Sequence, residues 1–358
     1  MKIRKVEKRD FLEIKLLFKR NNLSFYKPKV WNVLWKSFYI IKREKKVLGW
    51  VVEHNKKIVG HIGTFTTEYY YLNKKINCSV LNGWVVDKKF RNISLVLIKK
   101  YFDQKNCDFF YGTTFVEETT SIVKKFGAKQ VPVPSLKKSY YILTNSKNFL
   151  KFIFKKDFFF KQFVINFLNI LINFFLSYKI KYWKKIKIEK QIIITKELNS
   201  NMNNFLKIYL KNSKSLIFNM NNFFFKNILS SLIKRNLIWF FHVYEKNIVV
   251  GYSCCLIVKK GKFRSALLLD VKALSQTSYK SLIKANINES EKRNCMYFNF
   301  RNFSSEKTEV VKNFKPFTRN LSYSNFYYKL NNYKLKKLIT NQNIWDTSNL
   351  DGDIILNY

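Results

Sequence analysis

The sequence predicts two α+β units in tandem, each a mixed, largely antiparallel sheet flanked by helices, and three observations carry that expectation. The chain has 358 residues, against about 100 to 200 for one domain. A hydrophobic share of 47%, with 35 Phe and 21 Tyr, supplies ample apolar surface for packed cores. An order of short strands, polar turns and helices in the first half also recurs in the second at a nearly constant offset.

In the first half, Ile3–Val6 reads as a strand, and Asp10 opens a helix whose Phe11, Ile14, Leu17 and Phe18 fall at helical spacing. Gly49–Glu53 and Lys57–Thr66 flank the polar turn His54-Asn55-Lys56 as a hairpin, and Tyr69–Leu72 and Ile76–Val80 flank Asn73-Lys74-Lys75 likewise. A strand over Leu81–Val86 follows, then a helix from about Ile93 to Asp103. Strand Phe109–Thr113, helix Glu117–Phe126 and strand Tyr140–Leu143 complete the unit.

Four landmarks carry the repeat. Gly60 matches Gly251, an offset of 251 − 60 = 191. Asn106-Cys107 matches Asn294-Cys295, and Lys124-Lys125-Phe126 matches Lys312-Asn313-Phe314, both at an offset of 188. Tyr140-Tyr141 matches Tyr327-Tyr328 at 187. The expected boundaries are a first unit at 1–148, a Phe-rich helical linker at 149–190, a degenerate second unit at 191–335 and a tail at 336–358.

Phe158-Phe159-Phe160 and Phe163–Leu176 make the linker the most apolar stretch. A membrane span needs about 20 mostly apolar residues, and Lys161, Gln162, Asn166, Asn169 and Asn173 interrupt this one without sharing a face. Two readings stay open: a helix packed between the units, or a helix lying on a membrane surface beside Lys179, Lys181, Lys184 and Lys185. The formal charge of +44 is compatible with solvated faces of a Lys-, Asn-, Ile- and Phe-rich composition. The alternative, which the scattered Lys residues favour less, is an anionic partner such as CoA, a nucleotide-sugar or membrane lipid, and nucleic acid is not expected. Five cysteines without a CxxC pair, and no apolar leader in Met1–Arg20, point to reduced thiols in the cytoplasm, with the inner membrane face as the place of any peripheral contact. His54, His61 and His242 lack metal-ligand spacing, so no metal is expected.

The informative segment runs from Asn82 to Val96. A strand enters the basic turn Asp87-Lys88-Lys89-Phe90-Arg91 and then a helix directly, so free N–H groups at the helix start make a phosphate seat. Here the chain resembles the GNAT superfamily of acyl-CoA-dependent N-acyltransferases, whose motif is a strand, Arg-x-x-Gly-x-Gly or Ala, and a helix cradling the CoA pyrophosphate. Arg91 matches the motif Arg, Asn92 and Ile93 its spacer, and Ser94 and Val96 stand at its small positions. The stretch Val116–Ala128 also resembles the family's later helix in length and in Gly127, with Val116 and Val123 in place of the usual Asn and Tyr.

That resemblance implies acetyl-CoA or another acyl-CoA as cosubstrate, held by Val85, Val86, Arg91, Asn92, Ile93, Ser94, Leu95 and Val96, and a small amine or sugar acceptor. Amine acylation calls for a base, with Glu68 and Glu117 as candidates, and Tyr111 is a candidate acid for the departing thiolate. Main-chain N–H groups of Val85 and Val86 would polarise the thioester carbonyl. Asp270–Gln276, at the matching place in the second half, has neither Arg nor Gly, so the first unit is expected to hold the donor and the second to face the acceptor. The arrangement resembles Fem-type and polysaccharide-locus acyltransferases, which implies an amino-sugar or amino-acid-type acceptor. The alternative is a catalytically silent GNAT-fold binding protein or membrane-surface scaffold.

Overall fold

A computed structural model of the chain describes residues 1–40, 47–154, 161–175, 182–188, 190–195, 200–218, 229, 232–322 and 324–353. Of the linker residues named above, Phe158, Phe159, Phe160, Leu176, Lys179 and Lys181, together with the side chains of Lys161, Gln162 and Asn173, lie outside the described residues.

The first half contains β1 (Lys2–Lys5), α1 (Phe11–Arg20), α2 (Pro28–Ile40), β2 (Gly49–His54), β3 (Lys57–Tyr71), β4 (Lys74–Val86), α3 (Ser94–Phe102), β5 (Phe109–Gly112), α4 (Glu117–Lys125), β6 (Lys129–Gln130) and β7 (Lys138–Leu143). Two helices follow, α5 (Ser146–Ile153) and α6 (Lys161–Phe175). The second half contains β8 (Gln191–Thr195), α7 (Ser200–Asn212), β9 (Leu216–Phe218), β10 (Ile238–Glu245), β11 (Ile248–Lys260), β12 (Phe263–Ala273), α8 (Gln276–Lys292), β13 (Tyr297–Arg301), α9 (Ser305–Lys312), β14 (Phe317–Asn320), β15 (Tyr327–Leu330), α10 (Lys336–Ile339) and β16 (Trp345–Asp346).

The strands form two mixed sheets, ordered β1-β2-β3-β4-β5-β15-β6 and β14-β7-β13-β12-β11-β10-β8, with β9 and β16 added beside β3. Four antiparallel strands and one parallel neighbour open each sheet. The repeat holds at the level of register: Gly60 on β3 lies between Val52 and Val86, and Gly251 on β11 lies between Val243 and Ala273. Each glycine adjoins a break in register on the strand before it, at Val52/Glu53 and at Val243/Tyr244.

Two expectations are corrected. The hairpin of Gly49–Glu53 with Lys57–Thr66 forms, but the strands expected separately at Lys57–Thr66 and Tyr69–Leu72 are one strand, as are those at Ile76–Val80 and Leu81–Val86, because pairing runs unbroken from Phe65↔Val80 to Tyr71↔Lys74 through Thr66, Thr67 and Glu68. The strand at Tyr140–Leu143 forms, but it does not complete the first sheet. β7 sits between β13 and β14 of the second sheet, while β15 sits between β5 and β6 of the first. Each half thus lends a strand, β7 or β15, to the sheet of the other, so a cut at 148 divides the chain without separating the sheets. One continuous core correspondingly takes residues from both sheets and from the tail, among them Tyr111, Tyr140, Leu268, Trp345 and Leu350.

Helix α2 was not anticipated. Pro28 at its first position and buried Val30, Trp31, Leu34 and Trp35 explain it, since they mark a helix start and one apolar stripe. Among the described residues no helix is long and apolar enough to cross a membrane.

Candidate functional site

Each sheet opens into a fork where its fourth strand parts from its fifth. In the first, β4 pairs in parallel with β5 only from Cys78↔Phe109 to Val80↔Tyr111. Beyond that point Gly83 and Trp84 on β4 oppose the single residue Ile62 on β3, a bulge that turns the strand. Gly83 takes φ 57°, a left-handed conformation that favours glycine. The His61 ring pins its carbonyl, with Nδ1 2.6 Å from the oxygen, and burial holds the imidazole neutral by lowering its pKa to about 4. The edge of Leu81–Val86 away from β3 has no strand partner among the described residues.

α3 and α4 start at the carboxyl ends of β4 and β5, so both N-termini lie at the mouth of this fork. A 3-10 turn over Lys88–Ile93 leads into α3, which has no side-chain cap at its first turn. Arg91 and Asn92 are exposed there, and Ser94 is half-buried. Ile93 is instead an anchor, buried with Leu97 and Ile98 beneath the helix. Leu95, Val96 and Val116 are 49%, 43% and 51% exposed, an unusual share for apolar side chains at two helix starts.

The chain's own tail reaches this fork. Thr113 and Thr114, just past β5, donate hydroxyl hydrogen bonds to Asp353 at 3.0 and 2.8 Å. On the β4 side, Tyr26 donates to the Asn82 side chain at 2.6 Å. Gly352 has φ 70°, and any Cβ there would run into the Thr113 hydroxyl, so glycine is required for this approach. Burial raises the Asp353 carboxyl to about 6, against the pull of the two threonines. Burial likewise raises Asp351 to about 7, with Lys272 opposing it.

The second fork has the same frame and different contents. β12 pairs in parallel with β13 only at Ala266 and Leu267, and a bulge at Leu269 follows. Past it lie Asp270 and Lys272, fully buried and bonded at 3.1 Å. Lys272 also faces Asp346 at 3.6 Å, and Lys307 pairs with Asp346. Burial alone would lift Asp346, but Lys307 and Lys272 overcome it and hold the carboxyl below its ordinary value. Beside this cluster is a cavity of about 550 Å³ between the starts of α8 and α9.

The structure brings Val85, Val86, Arg91, Asn92, Ile93, Ser94, Leu95 and Val96 together at one strand end, with Glu117 exposed in the first turn of α4 at the same mouth. Glu68 is not brought there. It sits on β3 opposite Asn77, three residues before the strands part, and is paired with Lys75. Tyr111 is 1% exposed, its hydroxyl lacks a hydrogen-bond partner, and Trp345 stacks on its ring at 5.7 Å. The sequence reading missed Asp351 and Asp353 as site residues. The pattern Asp351-Gly352-Asp353 in a chain otherwise poor in Gly and acids was the available signal.

No protein-family model matches the sequence, and neither does any curated protein. Solved structures do match the fold. A GCN5-related N-acetyltransferase from Kribbella flavida superimposes with a TM-score of 0.58 at 6% identity, covering 92% of this chain and 71% of that one. A GCN5-related N-acetyltransferase from Anabaena variabilis gives 0.56 at 11%, covering 92% and 72%. Saccharomyces cerevisiae N-myristoyltransferase with bound myristoyl-CoA gives 0.54 at 12%, covering 91% and 82%. The architecture of two mixed α+β sheets is consistent with two tandem GNAT-like domains.

Proposed function

We propose that the chain is an acyl-CoA-dependent N-acyltransferase whose donor lies in the first fork and whose acceptor is an amino-sugar or amino-acid-type amine, in a role such as cell-surface polysaccharide synthesis. The observation that carries this reading is the combination at one fork of an unpaired β4 edge, an uncapped helix start preceded by an exposed Arg, and a buried carboxylate held just past β5. The pyrophosphate of acetyl-CoA or another acyl-CoA would take the α3 amides and Arg91. Its pantetheine arm would lie along the open edge at Val85 and Val86, where the Val86 N–H, on the side away from β3, meets the developing oxyanion, while Val85 turns its N–H toward β3. The amine nitrogen attacks the thioester carbonyl carbon, the C–S bond breaks, CoA leaves as thiolate, and Asp353 takes the amine proton. A carboxyl with a pKa of about 6 is ionised at neutral pH and still basic enough for that task.

Calorimetry with acetyl-CoA tests the seat. Arg91→Glu places a like charge beside the pyrophosphate and should weaken binding at least about tenfold, roughly 1.4 kcal/mol. Gln276→Glu, the matching change on the exposed rim of the second fork, should leave it intact. Equal affinities in both variants would remove the donor site from the first fork.

A peripheral contact with an anionic membrane surface fits α6. Phe163, Phe167, Ile170 and Phe174 are 71%, 53%, 65% and 73% exposed and spaced along one face, while Ile165 turns inward at 1% and Asn169 accepts from Ser146 at 2.6 Å. Such a stripe on a chain of net charge +44 suits the headgroup boundary of acidic lipid. The wild type should sediment with phosphatidylglycerol vesicles and not with phosphatidylcholine, and Phe167→Ser with Ile170→Ser should abolish this. Equal sedimentation of the double variant would end the membrane reading.

A further inference from the structure

We propose that the cavity of the second fork is a binding site for a polyhydroxylated ligand of about one sugar ring, an amino sugar and not an amino acid. This rests on the acyltransferase reading for its link to catalysis, but the site itself is argued from its walls.

The volume, about 550 Å³, lies within the roughly 300–1,000 Å³ of small-molecule sites. The floor holds Tyr279, Trp345, Asp346 and Lys307, all buried. Tyr279 is 6% exposed, and its hydroxyl is buried on a wall of the cavity without a hydrogen-bond partner among the described residues. A buried phenol left unpaired costs about 1–3 kcal/mol, so a ligand hydroxyl that meets it recovers that loss.

Charge decides the ligand class. Two helix starts would ordinarily invite an anion, but here both buried cations are already taken. Lys272 bonds Asp270 and faces Asp346, and Lys307 pairs with Asp346. Glu306 adds a third carboxylate at the rim. The start of α8 is also closed by its own cap, Ser275, whose side chain accepts from the Ser278 amide. An amino acid's carboxylate or a diphosphate would therefore enter a site where three carboxylates oppose two lysines. A neutral polyol meets no such penalty. The rim suits it, with the carboxamides of Gln276, Gln342 and Asn343 and the hydroxyls of Ser304 and Ser305 each able to donate and accept. An ammonium on the sugar is favoured by the same surplus of negative charge. Trp345, which forms part of this floor, also stacks on Tyr111 at the end of β5, so the cavity and the first fork share a wall.

The test is saturation-transfer NMR on the full-length chain with a panel of aldohexoses and 2-amino-2-deoxyhexoses, against glycine and inorganic phosphate. At least one hexosamine should bind, glycine and phosphate should not, and Tyr279→Phe should weaken the sugar roughly fivefold, as loss of one hydrogen bond to a neutral partner does. Asn343→Ala, on the exposed rim, should weaken it too and guards against a folding effect at Tyr279. No binding by any sugar, tighter binding of glycine or phosphate, or unchanged affinity in both variants would overturn the proposal. Acetyl-CoA binding measured on the same samples separates the two readings. Sugar binding without CoA binding removes the transferase and leaves the cavity, and the reverse removes the cavity alone.

Discussion

The two forks of this molecule are built alike and equipped differently. Both arise where a bulge turns a fourth strand away from a fifth, at Gly83-Trp84 and at Leu269. Past the first bulge the strand stays apolar through Val85 and Val86, and the tail brings the buried carboxylates of Asp351 and Asp353 toward it. Past the second come Asp270 and Lys272, which lock with Asp346 and Lys307 into a buried ion cluster. An open strand edge can accept a long flexible ligand, whereas a fork tied together by four buried charges cannot part without exposing them. The two forks share one frame, and a few residues past each bulge decide what the frame holds.

The largest effect that would break this comparison comes from separating the units. Residues 1–148 alone leave β7 without its neighbours and open a gap between β5 and β6 where β15 belongs. Unpaired central ladders and an opened core should prevent folding, so this fragment should show no cooperative thermal transition by circular dichroism. A fragment that melts cooperatively would mean that the exchanged strand is dispensable, and that the units are independent.

That exchange was hidden in the sequence for a physical reason. The Tyr140-Tyr141 and Tyr327-Tyr328 strands have the same apolar pattern, and which sheet a strand joins depends on partners more than 150 residues away, not on its own composition. Gly60 and Gly251 were legible because a glycine pressed by a close neighbour, Val52 and Leu97 in the first case and Ala273 in the second, leaves a local mark in the sequence. The seat at Arg91–Val96 was legible as a strand-turn-helix order. The tail was not: Asp351 and Asp353 look like a surface turn until Thr113 and Thr114 bond the second of them across 240 and 239 residues. Lys272 is a case where sequence position misleads. It lies in a segment that offers neither Arg nor Gly in the sequence, yet it is 1% exposed, and removing it would take from Asp270 the cation bonded to it, at a cost of about 3–5 kcal/mol, while Asp346 keeps Lys307.

A smaller effect sharpens the contrast at the tail. Asp353→Asn keeps the shape and the threonine contacts but removes the base, so acyl transfer should slow by about 10²–10⁴ while acetyl-CoA affinity holds. The pH dependence has a fixed sign. Burial raises Asp353 from an ordinary 3.8 to about 6, so in that window the folded state holds the proton that the unfolded state has lost. Wild-type stability should therefore fall as pH rises from about 4 to about 6 and level off above it, with Asp351, raised to about 7, extending the slope. In Asp353→Asn the slope below pH 6 should lessen to the part that Asp351 contributes. An unchanged profile together with unchanged turnover would deny Asp353 both roles.

The smallest effect is expected at Tyr111, the residue that joins the two forks through Trp345. Its hydroxyl is buried without a partner, and burial raises its pKa well above the ordinary phenol value. Removing an unsatisfied buried hydroxyl relieves a desolvation cost and loses no hydrogen bond, so Tyr111→Phe should be neutral or stabilising by up to about 1 kcal/mol. The ring keeps its stacking on Trp345, so the wall between the forks stays in place. Turnover should stay within roughly twofold, because a phenol sealed beneath Trp345 and Tyr69 has no path to a departing thiolate. A loss of about a hundredfold in turnover, with stability unchanged, would instead make Tyr111 the acid. It would also mean that Trp345 moves aside during the reaction, and that the two forks open together.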